Sequence, residues 1–293
     1  MSATFAVEDR SNLKKHLLNK RNFEKVVDSK IERRKETRKN AKKRKASQMV
    51  AVTEKEERKA AANDRSCKLA RLCDERLKSS QFRAINEYLY THPSDEATRY
   101  MNKHLFATYH EAYESIVNKW PIKPIDSIID AIEQYSTRKR LIIADLGCGK
   151  KPLLKLHFNE ATVHSFDLIA AHENVIAADI TSVPLEDSLC DFAVFCLSLM
   201  GTNVNDYLFE ANRILKLNGR LLIAEVVSRF DDDVNHFSKS LRHFGFTKVT
   251  VEHLPPNKFF VLFSAVKTCN VHKSTAKRNV PDIQLKPCHY KSR

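Results

Sequence analysis

Between residues 141 and 266 short apolar runs alternate with amphipathic stretches. Residues 141–144 are four apolar side chains with arginines before them and glycines soon after, which fits a strand buried on both faces better than a half-exposed one. Further strands are expected at 163–166, 175–178, 192–197 and 220–226, with helices at 153–158, 206–215 and 234–244. Pro152 suits the first turn of the 153–158 helix, where the N–H it lacks has no partner anyway. Asn218-Gly219 marks a turn before the strand at 220–226. The last two strands, 248–254 and 259–266, flank Pro255-Pro256-Asn257 and read as a hairpin. Strands alternating with helices imply a parallel sheet covered on both faces, here ending in an antiparallel strand. The fold class is therefore α/β, doubly wound.

Ahead of the sheet the pattern is helical. Phe82, Ile85, Tyr88 and Leu89 share one face; His92-Pro93-Ser94 breaks that helix, and Ser94 can cap the next, which holds Ala97 and Met101. Residues 109–117 carry a stripe through Tyr109, Tyr113, Ile116 and Val117, with His110 and Glu111 beside it. On spacing alone His110 reads more readily as a structural or exposed histidine than as a site residue. Trp120-Pro121 ends this helix, and residues 124–134 form an amphipathic helix leading to the first strand. Residues 10–80 are dense in Lys, Arg, Glu and Ala without Gly or Pro, so they can be helical in patches but cannot bury a core. The expected organisation is a basic, largely disordered or helical tail (1–80), a helical cap (81–135), the sheet domain (136–267) and a basic C-terminal tail (268–293).

Charge follows this division. Residues 1–80 carry 24 Lys/Arg against 12 Asp/Glu, residues 81–266 carry 19 against 23, and residues 267–293 carry 7 against 1. Basic ends on a near-neutral body suggest a polyanion held by the ends and chemistry done in the middle, although such tails can also serve only to solubilise or address a protein. The densest run, RRKETRKNAKKRK at 33–45, reads as a nuclear address, a phosphate-binding arm or a solvated helix. Seven cysteines without a C-x-x-C pair make neither a disulfide nor a zinc framework, so a reducing compartment and no metal are expected. No apolar run approaches the roughly 18 residues of a membrane span, and the N-terminus has no apolar signal core, which leads to the expectation of a soluble, intracellular protein.

The candidate chemistry begins at LIIADLGCG, residues 141–149. Gly147 and Gly149 let the backbone approach a ligand without a Cβ in the way. The dinucleotide fingerprint requires a third glycine where this chain has Pro152, which argues against a dinucleotide or a phosphate cradle. An adenosine cofactor without phosphates, S-adenosyl-L-methionine (SAM), requires acidic groups instead. Ligands of such sheets lie beyond the carboxyl ends of the strands. That rule selects Asp145, Gly147 and Gly149 after the first strand, Asp167 after the second, Asp179 after the third and residues 196–203 after the fourth. Asp167 is placed to accept from ribose hydroxyls, and Asp179 from an adenine amino group with Ile180 packed on the ring. Each acid alone can be a loop cap. Three at consecutive strand ends are harder to dismiss, and a doubly wound sheet closed by a hairpin is the layout of SAM-dependent methyltransferases.

FCLSLMGTN at 195–203, VPLED at 183–187, EANRILK at 210–216 and AEVVSRF at 224–230 resemble the ribosomal RNA-processing protein 8 (nucleomethylin) family. The resemblance extends through FRAINEYLYT at 82–91, YHEAY at 109–113, FFVLF at 259–263 and IQLKPCHYK at 283–291, and so covers residues 81–293. It implies a Rossmann-like SAM-dependent methyltransferase of the nucleus and nucleolus that modifies N1 of an adenosine in large-subunit ribosomal RNA. Carried over by motif, His110, Gly147, Asp167, Asp179, Ile180 and Cys196 would line the cofactor pocket. In metazoa the family is also linked to nucleolar chromatin-silencing proteins. The chain departs from the family pattern in a longer stretch between Gly149 and His164, in Lys150-Lys151 where an acid is expected, and in Leu217-Asn218-Gly219 in place of Pro-Gly-Gly.

Methyl transfer from a sulfonium is an in-line displacement, so alignment and exclusion of water dominate. N1 of adenine offers a lone pair at neutral pH and needs no strong general base, and none stands out. The base must be unpaired or extruded to react. Candidates to hold it are Asn203, Glu225 and Arg229, with Tyr109, Tyr113 or Phe230 as stacking surfaces. Two other functions fit the same residues. A cofactor-sensing chromatin-silencing scaffold would bind SAM without methylating RNA, and a methyltransferase of another substrate class would turn over without residues 1–80.

Overall fold

The computed structural model describes residues 5–135, 140–230, 233–276 and 280–288. It separates into two units, residues 1–73 and 74–293. Helix α1 (Phe5–Thr91) makes up the first and continues into the second. One continuous helix replaces the expected helical patches, since no Gly or Pro interrupts residues 10–80 and pairs such as Asp64–Lys68, 2.8 Å apart at i,i+4, support the turns. Its described side chains in the first unit are exposed, Leu69 and Leu72 included, so this unit has no core among them.

The second unit begins with a helical cap. The last turns of α1 bury Phe82, Ile85 and Leu89 against α2 (Ser94–Tyr100) and α3 (Lys103–Val117), together with Met101, Phe106 and Tyr109. Asn102 caps α3 by accepting from the backbone N–H groups of His104 and Leu105, both at 3.0 Å. Ser94 does not cap α2. Pro93 holds that position, and the Ser94 N–H instead donates to Asn203 Oδ1 at 3.0 Å.

After α4 (Pro124–Tyr135) the chain alternates β1 (Ile142–Leu146), α5 (Leu153–His157), β2 (Thr162–Asp167), β3 (Val175–Ala177), β4 (Cys190–Cys196), α6 (Val204–Ile214), β5 (Leu215–Val226), α7 (Val234–Ser240), β6 (Phe246–His253) and β7 (Phe260–Lys267). The sheet order is β3-β2-β1-β4-β5-β7-β6; β1 to β5 pair in parallel, and β7 lies antiparallel between β5 and β6. This is the doubly wound sheet with an antiparallel hairpin that the pattern implied. Alternate strand residues feed two cores. Ala144, Leu146, Phe166, Phe195, Ile223 and Phe263 pack with Leu208 of α6 and Phe237 of α7, whereas Ile143, Val194, Leu222 and Leu262 pack with Ile128 and Ile132 of α4 and Leu154 of α5.

Two local expectations change. Asn218 is not in a turn between elements: β5 runs through it, with Asn218 at φ 68° beside a register shift against β4, so the residue sits in a bulge where Asn tolerates the left-handed region. Residues 280–288 also form a strap on the second unit rather than a free tail. Asn205 holds Pro281 and Ile283 by 3.0 and 3.1 Å hydrogen bonds, Asn86 Nδ2 donates to the Cys288 carbonyl at 2.8 Å, and Ile283 and Cys288 are buried. Patterning could not anticipate this, because single side chains far away in sequence fasten the segment.

Candidate active site

The carboxyl ends of β1, β2 and β4 meet below α3, and one cavity of about 400 Å³ opens there. Its floor is the turn after β1. Gly147 and Cys148 donate their backbone N–H groups to the Phe166 carbonyl at 2.9 and 3.0 Å, and Gly149 N–H donates to Asp167 Oδ2 at 2.7 Å. All three amides of the turn are therefore committed to β2, and none is left to cradle a phosphate. Gly147 has φ +86° and Gly149 φ +74°. A Cβ on Gly147 would lie 2.3 Å from Ser198 Cβ, and one on Gly149 would lie 3.1 Å from His110 Cε1. Ser198 is pinned in place, its hydroxyl donating to the Leu146 carbonyl at 2.5 Å, directly after Leu197 at φ 57°. The glycines thus provide two separate close approaches, to the loop after β4 and to α3.

Acids complete the floor. Asp167 accepts from Gly149 through one oxygen and from Leu168 N–H through the other, at 2.8 Å, leaving a lone pair on each for a diol. Burial raises its pKa to about 6 against the lowering effect of those two amides. Asp145 is raised further, to about 7, by burial and then by the charge of Asp167. Asp179 accepts from Thr181 N–H at 2.9 Å, a loop cap, yet it and the buried Ile180 also line the cavity. His110 is held down to about 4 by burial and by Lys150, so at neutral pH its ring is an uncharged wall. Burial raises the Cys196 thiol, making it an apolar surface and not a nucleophile. Glycines that admit a close ligand, a diol acceptor, a further acid near a buried Ile and no anion nest fit a phosphate-free nucleoside cofactor. Among the described residues no cluster of His, Cys, Asp and Glu is arranged to hold a metal.

A family model described as a hypothetical methyltransferase matches residues 68–293. The chain is 41% identical over 226 residues to ribosomal RNA-processing protein 8 of Arabidopsis thaliana, covering 75% of this chain and 76% of that protein. The chain belongs to the ribosomal RNA-processing protein 8 family. It is also 41% identical over 234 residues to the Dictyostelium discoideum protein of that name (75% of this chain, 58% of that protein). A Schizosaccharomyces pombe relative named 25S rRNA (adenine(645)-N(1))-methyltransferase is 41% identical over 230 residues, covering 75% of this chain and 70% of that protein. The chain thus spans little more than half the length of some relatives it matches.

Around the cavity the expected cofactor residues His110, Asp145, Gly147, Gly149, Asp167, Asp179, Ile180 and Cys196 come together with Tyr109 and Tyr113. Three target-base candidates do not join them. Asn203 spends its amide on Ser94, accepting from its N–H and donating to its Oγ, both at 3.0 Å, which ties α2 to the loop after β4. Glu225 and Arg229 form a 2.8 Å ion pair with neither side chain exposed. Arg229 Nη2 donates to the Leu199 carbonyl at 2.6 Å and Nε to the Lys286 carbonyl at 3.0 Å, and its guanidinium lies 4.6 Å over the Tyr90 ring. The pair clamps the loop after β4 to the C-terminal strap and leaves no edge for a base. Phe230 is core, packed on Phe237 and Phe263 at 4.9 and 5.2 Å. Conversely, sequence reasoning missed Met101, Trp120 and Lys123 as cavity residues. Trp120 had registered only as a helix end, while Ser198 lay inside the 196–203 stretch, where the small side chain opposite Gly147 was the available signal.

Proposed function

We propose that this chain is a SAM-dependent RNA methyltransferase that modifies N1 of an adenosine in large-subunit ribosomal RNA, working in the nucleolus. The observation that carries the reading is the floor of the cavity: a glycine turn with every amide committed internally, flanked by acids at three strand ends. When bound, SAM supplies a methyl group activated by its positive sulfonium. Asp167 would hold the ribose hydroxyls, and Asp179 with Ile180 the adenine. Asp145 adds negative potential near the reacting centre once ionised. The neutral His110, Tyr109 and Cys196 enclose the site in groups that carry no competing charge at neutral pH, since burial also raises the Tyr109 phenol well above its ordinary value. N1 of adenine reacts through its own lone pair, so the protein's work is alignment and exclusion of water rather than proton removal.

The substrate assignment draws on the relatives, whose names specify ribosomal RNA and, in fission yeast, adenine N1. The basic residues 1–80 support it as a source of phosphate contacts. The test is transfer of labelled methyl from SAM to ribosomal RNA lacking its native modification, comparing the chain with Asp167→Ala and Gly147→Arg. Incorporation by the parent and loss in both variants is expected. Undiminished transfer by both would remove the cofactor assignment, and none by the parent would remove the substrate.

A further inference from the structure

Charges of both signs line the cavity. Asp145, Asp167 and Asp179 sit at the ends of β1, β2 and β3, whereas Lys123, Lys150 and Lys151 line it from the loops that precede α4 and follow β1. Glu114, the remaining acid of the lining, lies 3.7 Å from Lys151. In the order β3-β2-β1-β4 the adenine-side acid Asp179 and Cys196 at the end of β4 are three strand spacings apart, about 14 Å. The β4 end of the cavity therefore lies beyond the adenosine site. Tyr113 of α3, Trp120 and Ile125 at the start of α4 pack against the same apolar core as Cys196, and with Pro124 they line the cavity.

Trp120 is braced for a contact role. Its ring meets Tyr113 edge-on, at 6.1 Å and 88°, and packs on Phe260 of β7 at 4.9 Å. Perpendicular rings form a corner in which a planar base lies flat on one ring with its edge against the other. We propose that this end of the cavity is a slot for an unpaired purine of an RNA strand. Tyr113 and Trp120 are its aromatic corner, and Lys123, Lys150 and Lys151 contact the phosphates flanking that nucleotide. The assignment rests on the RNA-methyltransferase reading for its ligand and adds the residues that position the base.

Trp120 is the chain's single tryptophan, so its fluorescence reports on the slot independently of turnover. Titrating the full chain, saturated with S-adenosylhomocysteine, with a hairpin RNA bearing one unpaired adenosine quenches that fluorescence, and a fully paired control does not. Trp120→Ala lowers kcat/KM for RNA on the order of 10- to 100-fold and Trp120→Phe restores most of it, as expected for stacking. Lys150→Ala/Lys151→Ala weakens RNA binding and flattens the slope of log affinity on log salt by about 1.4 for two contacts. All three variants keep their SAM affinity within about twofold, the margin that separates a base slot from cofactor contacts. Absence of quenching in a chain that methylates RNA overturns the slot and spares the RNA-methyltransferase reading, as does a Trp120→Ala variant with unchanged kcat/KM. Quenching without methyl transfer keeps the slot and overturns the reading.

Discussion

Breaking the Glu225–Arg229 pair tests how the site is held. Both side chains are fully buried, and Arg229 binds Glu225, the Leu199 carbonyl, the Lys286 carbonyl and the Tyr90 ring together. Arg229→Met keeps the apolar stem but leaves Glu225 as a buried charge without its cation, a loss of about 3–5 kcal/mol. Two carbonyls also lose their donor, at about 1–3 kcal/mol each where water cannot replace it. These terms overlap, so about 4 kcal/mol is expected for the single change. Glu225→Gln strands the guanidinium instead and should cost about 2–4 kcal/mol. The double variant removes both charges and should cost less than the sum of the two, with a coupling of about 2 kcal/mol. Urea unfolding followed by Trp120 fluorescence reads the second unit alone, since residues 1–73 contain no tryptophan. A loss below about 1 kcal/mol for Arg229→Met, or strict additivity in the double variant, would show that the pair does not clamp the loop after β4.

Other consequences are as direct. Gly147→Ala should weaken SAM binding at least about tenfold by calorimetry, because its Cβ would meet Ser198 at 2.3 Å, and adding Ser198→Gly should recover part of it, leaving the φ +86° strain. SAM, bearing cationic groups and a diol, favours ionised carboxylates; Asp145 and Asp167 titrate near 7 and 6 in the free protein, so affinity should fall as pH drops through 7 and then 6, and binding near pH 6.5 should release protons. Equal affinity at pH 5.5 and 8 would contradict that assignment. With pKa values above those of the unfolded chain, the same two groups should make the ligand-free protein lose stability as pH rises from about 4 to 7, by at most about 1.4 kcal/mol per pH unit for each, visible in urea midpoints. Removing residues 1–73 should leave SAM affinity unchanged and reduce the salt dependence of RNA binding.

The sheet and its ligand end were legible because short apolar runs alternating with amphipathic stretches, the glycine pair and the strand-end acids are local signals. Asp167 and Gly147 could be chosen from the rule that ligands lie beyond the strand ends, and the structure brings them together. The failures are of another kind. Asn203, Glu225 and Arg229 lie at or just beyond strand ends, as Asp145 does, but whether a polar side chain at such a position faces the cavity or binds another segment depends on partners far away: Ser94, Leu199, Tyr90 and Lys286. Lys267 teaches the same lesson. It stands where the sheet domain meets the basic tail and reads as one more surface charge, yet its ammonium is buried and donates to the Asn212 and Leu215 carbonyls at 2.5 and 2.6 Å, closing the end of α6. Trp120 was visible as an aromatic before a proline, but its seat against Phe260, 140 residues later, belongs to long-range packing.

Nucleoside analysis of the methylated product bears most directly on the central claim. Ribosomal RNA without its native modification, incubated with the chain and labelled SAM and then digested to nucleosides, should carry the label as 1-methyladenosine. Label on another base or on ribose, or none at all, would contradict the account.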